Sequence, residues 1–202
     1  MNEDIFKKQP GYNKEKLQVK VELATPENWK ECKRLRLLEL TGEDAEMFGA
    51  GPKHPEKLEE EQKRGEKEWR EDLSPENKDV FFVLSWKGPN AVGLGRASQR
   101  GEGVWRMAWG YTEKSFRKQG FGTKNFALRL KNIIERGGKK VTIGVKANNK
   151  DSISLAKSFD FKTDDTIPIK LQKMFKYSGY NMELDLSNPE VIKKINEVLN
   201  AG

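Results

Sequence analysis

Apolar and polar residues alternate over residues 18–23, a pattern typical of a half-buried strand. A helix is predicted to follow, because Thr25 suits an N-cap and Pro26 suits the first helical position. Apolar residues then recur at the spacing of one helix face as far as residue 40. Loop-forming glycines occupy residues 41–54, and the highly charged residues 55–73 predict a second, mostly exposed helix.

The middle of the chain contains three strand-like segments, at residues 80–86, 91–97 and 104–111. Turn-forming residues separate these segments, so the pattern predicts an antiparallel meander. An amphipathic helix is expected to begin near Thr123 and to end at Gly137, since glycine is common just after the last helical turn.

The last part of the chain predicts a strand at 141–145, a short helix at 150–159, closing strands that end with 180–186, and a helix at 189–199. This order predicts an α/β (α+β) fold with a mixed, mostly antiparallel sheet of six to seven strands. About four helices should flank the sheet. We expect a flexible tail at residues 1–16, one domain at 17–186, and a C-terminal helix at 187–202 that packs on the domain or trails it.

Charge and composition narrow the function classes only slightly. The net charge of +7 favours anionic partners, but nucleic acid, an acidic protein and a phosphate-rich coenzyme fit it equally well. Cys32 and His54 are the only residues of their types, so neither an internal disulfide nor a Cys/His zinc site can form, and we expect no metal. No apolar run suits a membrane span or a signal peptide, so we expect a cytoplasmic protein without a membrane partner.

The most distinctive motif lies between a strand and a helix start, and it consists of Arg117, Lys118, Gln119, Gly120, Phe121, Gly122 and Thr123. The glycines allow a tight turn and a close approach of ligand to backbone, while the free N–H groups of a first helical turn attract anionic oxygens. Arg117 and Lys118 add positive charge, and arginine can hold phosphate oxygens through two parallel hydrogen bonds. A P-loop would need glycine where Arg117 stands, and the Rossmann motif would need glycine where Asn125 stands, so neither motif is present. The run therefore predicts a diphosphate site of another kind.

The pattern Arg-x-x-Gly-x-Gly, after a meander and before an amphipathic helix, resembles the coenzyme-binding signature of the GNAT acetyltransferase superfamily. The likeness extends over about residues 17–186. It implies that acetyl-CoA is the co-substrate, with its diphosphate on residues 117–123 and its pantetheine arm along Gly110, Tyr111 and Thr112. Gly110 also predicts a bulge or a close backbone approach in its own right, because isolated glycines inside strands mark such positions.

A second element of the superfamily is matched only in part, by Asn149, Ser152, Leu155, Ala156, Asp160 and Phe161. The resemblance implies that Asn149 bonds the pantetheine arm, although asparagine before a helix is also an ordinary cap. Ala156 stands where many members carry the tyrosine that protonates the leaving thiolate. Residues 104–111 contain no carboxylate to act as a base, which leaves Tyr177, Tyr180 and Glu113 as candidate catalytic residues.

The resemblance therefore implies an N-acetyltransferase in which a neutral amine attacks the thioester directly, with a backbone N–H near Tyr111 or Thr112 facing the oxyanion. The acceptor would be the primary amine of a small molecule or peptide, and the protein a monomer or a homodimer. Two alternatives stay open: a weakly active coenzyme-binding or regulatory module with this fold, and an RNA-binding basic domain. The second would stack bases on Trp86, Trp105 and Trp109.

Overall fold

The computed structural model describes residues 19–48, 54–163 and 179–201, and the positions below refer to these ranges. Its seven strands are β1 (Lys20–Leu23), β2 (Val80–Lys87), β3 (Asn90–Gly101), β4 (Val104–Thr112), β5 (Lys140–Lys146), β6 (Lys162–Thr163) and β7 (Gly179–Asp185). Its six helices are α1 (Trp29–Thr41), α2 (Pro55–Lys63), α3 (Glu66–Asp72), α4 (Phe121–Glu135), α5 (Lys150–Ser158) and α6 (Pro189–Asn200). The predicted mixed α/β fold class is confirmed.

The strands form one sheet in the order β1-β2-β3-β4-β5-β7-β6. The meander of β2, β3 and β4 is antiparallel, as the turn-separated strand pattern predicted. Strands β4 and β5 run parallel, since α4 connects them across one face of the sheet. The sheet is therefore mixed, with its parallel pair near the centre.

The parallel pair is hydrogen-bonded over only part of its length. Val104 to Met107 of β4 pair with Lys140 to Ile143 of β5, and no further pairing joins these two described strands. The remainders of β4 and β5 diverge toward their C-terminal ends. A gap therefore opens in the middle of the sheet.

Each face of the sheet has its own apolar core. On one face α4, α5 and α6 cover a cluster that includes Trp105, Leu130 and Ile195. On the other face α1 and α3 cover a cluster that includes Leu35 and Trp69. The C-terminal helix α6 is thus part of the first core, because its Val191 and Ile195 side chains are buried there.

The charged segment 55–73 differs from the single exposed helix that the sequence predicted. It forms two helices, α2 and α3, with a break at Arg64 and Gly65. Gly65 is extended (φ −83°, ψ 173°) and its N–H donates to Glu68 Oε2 at 2.8 Å, which caps α3. The break turns Trp69 inward, where its side chain is fully buried. The centres of the Trp69 and Phe82 rings are 5.8 Å apart. Burial of this indole outweighs the regular charge spacing that favoured one continuous helix.

Two helix starts also differ by a few residues from the predicted ones. Thr25 caps a 3-10 turn, Pro26–Asn28, whose Asn28 Oδ1 accepts a hydrogen bond from the Thr25 N–H at 2.9 Å, and α1 follows it. Helix α4 begins at Phe121 instead of Thr123, because Gly120 adopts a left-handed conformation and ends the preceding loop. None of the helices in the described ranges is long and apolar enough to cross a membrane.

Candidate functional site

The gap between β4 and β5 opens into a cavity of about 920 Å³, which lies within the usual size of a small-ligand site. Its walls come from β4, β5, β7, the start of α4, and the helices α1 and α2 that cover the sheet. The lining residues that matter below are Arg36, Glu39, Gly110, Tyr111, Thr112, Gly122, Arg129, Asn149 and Tyr180. Residues from distant parts of the sequence thus meet in one cleft.

The predicted phosphate loop lies at one end of this cavity, at the N-terminus of α4. Lys118 (φ 60°) and Gly120 (φ 89°) both have left-handed backbone conformations, which turn the chain sharply into the helix. The backbone N–H groups of residues 119–123 donate no hydrogen bond to any residue that the structure describes. These open amides at a helix N-terminus are the arrangement that binds anionic oxygens. Gly122 brings the loop against β4, since a Cβ there would lie 3.6 Å from Thr112 Oγ1.

The two cations of the motif have protein partners. The Arg117 guanidinium donates from Nε to the Thr112 carbonyl at 2.9 Å and forms an ion pair with Asp44 through Nη1. Arg117 therefore ties the loop to the end of β4, and its role as a phosphate ligand stays a prediction. Lys118 is exposed and pairs with Asp151 at the start of α5. Gln119 bonds back to the Ser115 carbonyl at 2.9 Å.

Strand β4 contains the bulge that Gly110 predicted. The register places Arg96 opposite Ala108 and Leu94 opposite Tyr111, so Trp109 and Gly110 together face Gly95 alone. Trp109 has φ 53°, a left-handed conformation that is strained for a bulky residue. Its ring packs 4.1 Å from the Arg36 guanidinium and 4.9 Å from that of Arg96, which compensates for the strain.

Beyond the bulge, the side of β4 that faces β5 has no strand partner in the described chain. Tyr111 and Thr112 pair with β3 on their other side, Gly110 lies in the bulge, and all three line the cavity. The Thr112 carbonyl accepts from Arg117, and the backbone groups of this edge that stay free could hydrogen-bond an extended ligand as a further strand would. Burial raises the pKa of the Tyr111 phenol, with a further contribution from nearby Glu113, so this phenol stays protonated at neutral pH.

Asn149 borders the cavity at the start of α5. Its Oδ1 accepts the Ser152 N–H at 3.1 Å, so the residue is the N-cap of this helix. The cap leaves the side-chain NH₂ available for a ligand, so the two interpretations of Asn149 are compatible. Ala156 is fully buried in the core and is not among the described residues that line the cavity, so it supplies no proton donor there.

Of the three candidate catalytic residues, only Tyr180 is among the described residues that line the cavity. Tyr180, paired opposite Val145 in β7, lines the cavity and is 44% exposed. Glu113 is ion-paired to Arg34 at 2.9 Å and is not among the described residues that line the cavity, so it is a poor candidate for the base. Tyr177 lies outside the described residues.

The sequence analysis missed a buried charged cluster on α1 and α2. Glu39 is 2% exposed and accepts a hydrogen bond from Arg36 Nη1 at 2.7 Å, and Glu61 lies 3.6 Å from Arg36 Nε. Burial raises the pKa of Glu39, although Arg36 opposes this shift. Arg36 and Glu39 lie on the same helix face as Cys32 and Leu35, and charged residues on that apolar face were the available signal. In the ranges described, no group of three or more His, Cys, Asp or Glu could hold a metal ion.

The tryptophans proposed as RNA-stacking residues are packing residues instead. Trp105 is 1% exposed in the core, and Trp109 is enclosed by two guanidinium groups and the Phe82 ring. Trp86 packs, half-buried, against the second core. All three therefore contribute to packing, and neither Trp105 nor Trp109 has an open ring face for a base.

The chain belongs to the GNAT acetyltransferase family, whose model matches residues 36–161, more than half of the sequence. The match spans the charged helices, the meander, the phosphate loop and α5. This membership defines the protein as an acetyltransferase by class. No curated protein sequence matches the chain at a significant level.

Solved acetyltransferase structures share this fold at low sequence identity. The PaiA N-acetyltransferase of Thermoplasma acidophilum, in complex with coenzyme A, has a TM-score of 0.63 and 14% identity over 83% of this chain and 99% of its own. An N-acetyltransferase of Staphylococcus aureus has a TM-score of 0.61 and 14% identity over 84% and 99%. The putative acetyltransferase YncA of Salmonella typhimurium, with its cofactor acetyl-CoA, has a TM-score of 0.59 and 12% identity over 85% and 95%.

Proposed function

We propose that this protein is an acetyl-CoA-dependent N-acetyltransferase that transfers an acetyl group to a primary amine. The observation that carries the proposal is the continuous path from the open amides of α4 to the bulge of β4. Along this path the β4 edge that faces β5 has no strand partner in the described chain, and the cavity of about 920 Å³ is lined by Gly122 of α4 and by Gly110, Tyr111 and Thr112 of β4. Coenzyme A is an extended ligand with an anionic end, and two of the similar structures contain coenzyme A or acetyl-CoA.

The residues around the path suit each part of the coenzyme. The amides of residues 119–123, with the helix dipole, would hold the diphosphate, and Lys118 adds charge at the surface. The unpaired backbone of Gly110, Tyr111 and Thr112 would hold the pantetheine arm as a strand holds its neighbour. The Asn149 amide borders the same path. Arg117 would act indirectly, since it fixes the loop to Thr112.

The chemistry follows from where the path ends. The coenzyme supplies an acetyl thioester, and a neutral amine attacks its carbonyl carbon in a ternary complex, so that a C–N bond forms and the C–S bond breaks. The backbone N–H of Tyr111 or Thr112 would stabilise the oxyanion. No covalent enzyme intermediate is required.

Proton transfer needs a base and an acid at the cavity. Glu39 is the described cavity carboxylate whose pKa burial raises, against the opposing effect of Arg36, and a carboxylate with a raised pKa is a better proton acceptor than an ordinary one. Tyr180 is the candidate that remains for protonating the leaving thiolate. We propose Glu39 as the base because β4 contains no carboxylate, and Tyr180 as the acid because Ala156 stands where the tyrosine is usual.

The test measures binding and transfer separately. Calorimetry should show binding of coenzyme A and acetyl-CoA, and a 100-fold excess over Kd should stabilise the fold by about 2.7 kcal/mol. A panel of polyamines, amino acids, aminoglycosides and peptides is then incubated with acetyl-CoA, while a thiol reagent reports released coenzyme A and mass spectrometry reports the acetylated amine. Binding without transfer across the panel would favour the coenzyme-binding module. Absence of binding would refute the proposal.

A further inference from the structure

A buried arginine lies against the sheet beneath the bulge of β4. Arg129, on α4, is 4% exposed, and its Nη1 donates to the carbonyl of Ala108 at 3.2 Å and to that of Arg96 at 3.4 Å. These two residues are the last pair of the β3–β4 ladder before the bulge. Arg129 therefore holds together the two strands at the point where their register changes.

Gly95 provides the space for this contact. A Cβ at Gly95 would lie 2.5 Å from Arg129 Nε and 2.3 Å from Asn125 Oδ1, distances at which atoms collide. Asn125 is fixed in turn, because its Nδ2 donates to the Val83 carbonyl and to Ser85 Oγ, each at 3.1 Å. The glycine faces the bulge directly. A glycine on β3, a bulge on β4 and two polar residues on α4 thus form one unit.

Arg129 forms no direct ion pair with any described residue. No carboxylate lies within 4.0 Å of it in the part of the chain that the structure describes, and its buried Nε has no hydrogen-bond partner there. Burial lowers the pKa of Arg129 to about 10, so the group still carries its charge at neutral pH. Glu39 attracts this charge from beyond ion-pair distance, and the guanidinium lies 5.4 Å from the centre of the Phe126 ring. A buried cation without a direct ion pair is costly. Such a group is expected where negative charge develops nearby.

The position of this cation relative to the cleft is specific. Arg129 lines the cavity, and its Nη2 would lie 3.5 Å from a Cβ placed on Gly110. It lies about 12 Å along α4 from the first helical residue, hence far from the open amides that face the diphosphate. The cation is therefore next to the backbone that would face the reacting carbonyl.

We infer that Arg129 is a positioning residue for acetyl transfer, which fixes the β4 bulge and polarises the thioester carbonyl held against Gly110 to Thr112. The inference rests on the proposed function. Arg129 acts through the Ala108 and Arg96 carbonyls and through its charge, without contacting the coenzyme diphosphate. Coenzyme affinity and carbonyl polarisation should therefore respond differently to its replacement.

The experiment uses acetyl-CoA labelled with ¹³C at the carbonyl, bound to the full chain. Isotope-edited infrared spectroscopy should show the carbonyl band of the wild-type complex at lower wavenumber than that of free acetyl-CoA. Arg129→Met should return the band most of the way to the free position, whereas Kd for coenzyme A should change by less than about threefold, because the diphosphate amides are remote. Arg129→Lys, which keeps the charge, should give an intermediate band. With an acceptor in hand, Arg129→Met should lower kcat about 100-fold.

Two glycine variants make the test independent of whether Arg129→Met folds. Gly95→Ala displaces Arg129 without removing it and should shift the band as Arg129→Met does. Gly101→Ala lies on the same strand, meets nothing within 4 Å, and should match the wild type. A wild-type band position in Gly95→Ala and in whichever Arg129 variants fold would overturn the inference. If the wild-type protein fails to bind acetyl-CoA, the proposed function falls and the inference falls with it.

Discussion

Substitution of Gly120 separates the charge of the phosphate loop from its backbone conformation. Gly120 has φ 89° and ψ −12°, and a Cβ there would meet nothing within 4 Å. Gly120→Ala therefore costs only the left-handed conformation of an L-residue, about 1–2 kcal/mol. Gly120→Glu carries the same backbone cost and adds a carboxylate beside the open amides. The difference between the two variants is the effect of the charge.

That charge should act in opposite directions on stability and on binding. A carboxylate at a helix N-terminus stabilises it by about 0.3–1 kcal/mol, so Gly120→Glu should melt about 1–4 °C above Gly120→Ala. Against a diphosphate about 6 Å away, each pair of charges costs about 0.7 kcal/mol in water and about 3 kcal/mol at an effective dielectric of 20. Two phosphate charges should therefore weaken coenzyme binding by at least about tenfold.

The assay is calorimetric titration with coenzyme A, paired with thermal unfolding. Gly137→Ala is the matched control, since Gly137 also has a left-handed conformation (φ 76°) and open space around it, but lies at the other end of α4. It should lose stability and keep its affinity. Added salt should narrow the affinity gap between the two Gly120 variants, because exposed charges are screened. Equal affinities for Gly120→Ala and Gly120→Glu at low salt would refute the assignment of this loop to the diphosphate.

The other predictions concern proton transfer. Because burial raises the pKa of Glu39 above its ordinary value of 4.5, wild-type kcat/KM should fall as the pH drops through that raised pKa and the base becomes protonated. Glu39→Gln should lower kcat/KM about 100-fold or more and remove this acidic limb, and a retained limb would exclude Glu39 as the base. Tyr180→Phe should lower kcat at least about tenfold with an unchanged Kd for acetyl-CoA, whereas an unchanged kcat would show that the thiolate takes its proton from elsewhere.

Local features of the chain were predictable because their causes are local. The meander follows from the alternation of apolar and polar residues and from the turn formers between the strands. The start of α4 was predictable to within two residues, because glycine readily adopts the left-handed conformation that precedes the helix. The bulge at Gly110 and the cap at Asn149 were predictable for the same reason. Family likeness then linked these separate motifs to one coenzyme.

Ion-pair partners were not predictable, because they depend on which segments pack together. The sequence predicted Arg117 as a phosphate ligand but did not predict its ion pair with Asp44, which is distant in the sequence. It predicted Glu113 as a possible base but did not predict that Glu113 pairs with Arg34 and lies outside the described lining of the cavity. The behaviour of a charged side chain depends on which opposite charge lies nearest to it in space, and the sequence does not give that distance.

The sequence by itself determined the order of strands and helices, the phosphate loop and the irregular glycine of β4, since hydrogen bonding and backbone preference act over a few residues. The tertiary structure alone decided that residues 55–73 break to bury Trp69, that Glu39 is withdrawn from water, and that Arg129 packs against the sheet at Gly95. Burial is a property of packing between distant segments, and it is burial that sets the cost of a charge and the pKa of a carboxyl group.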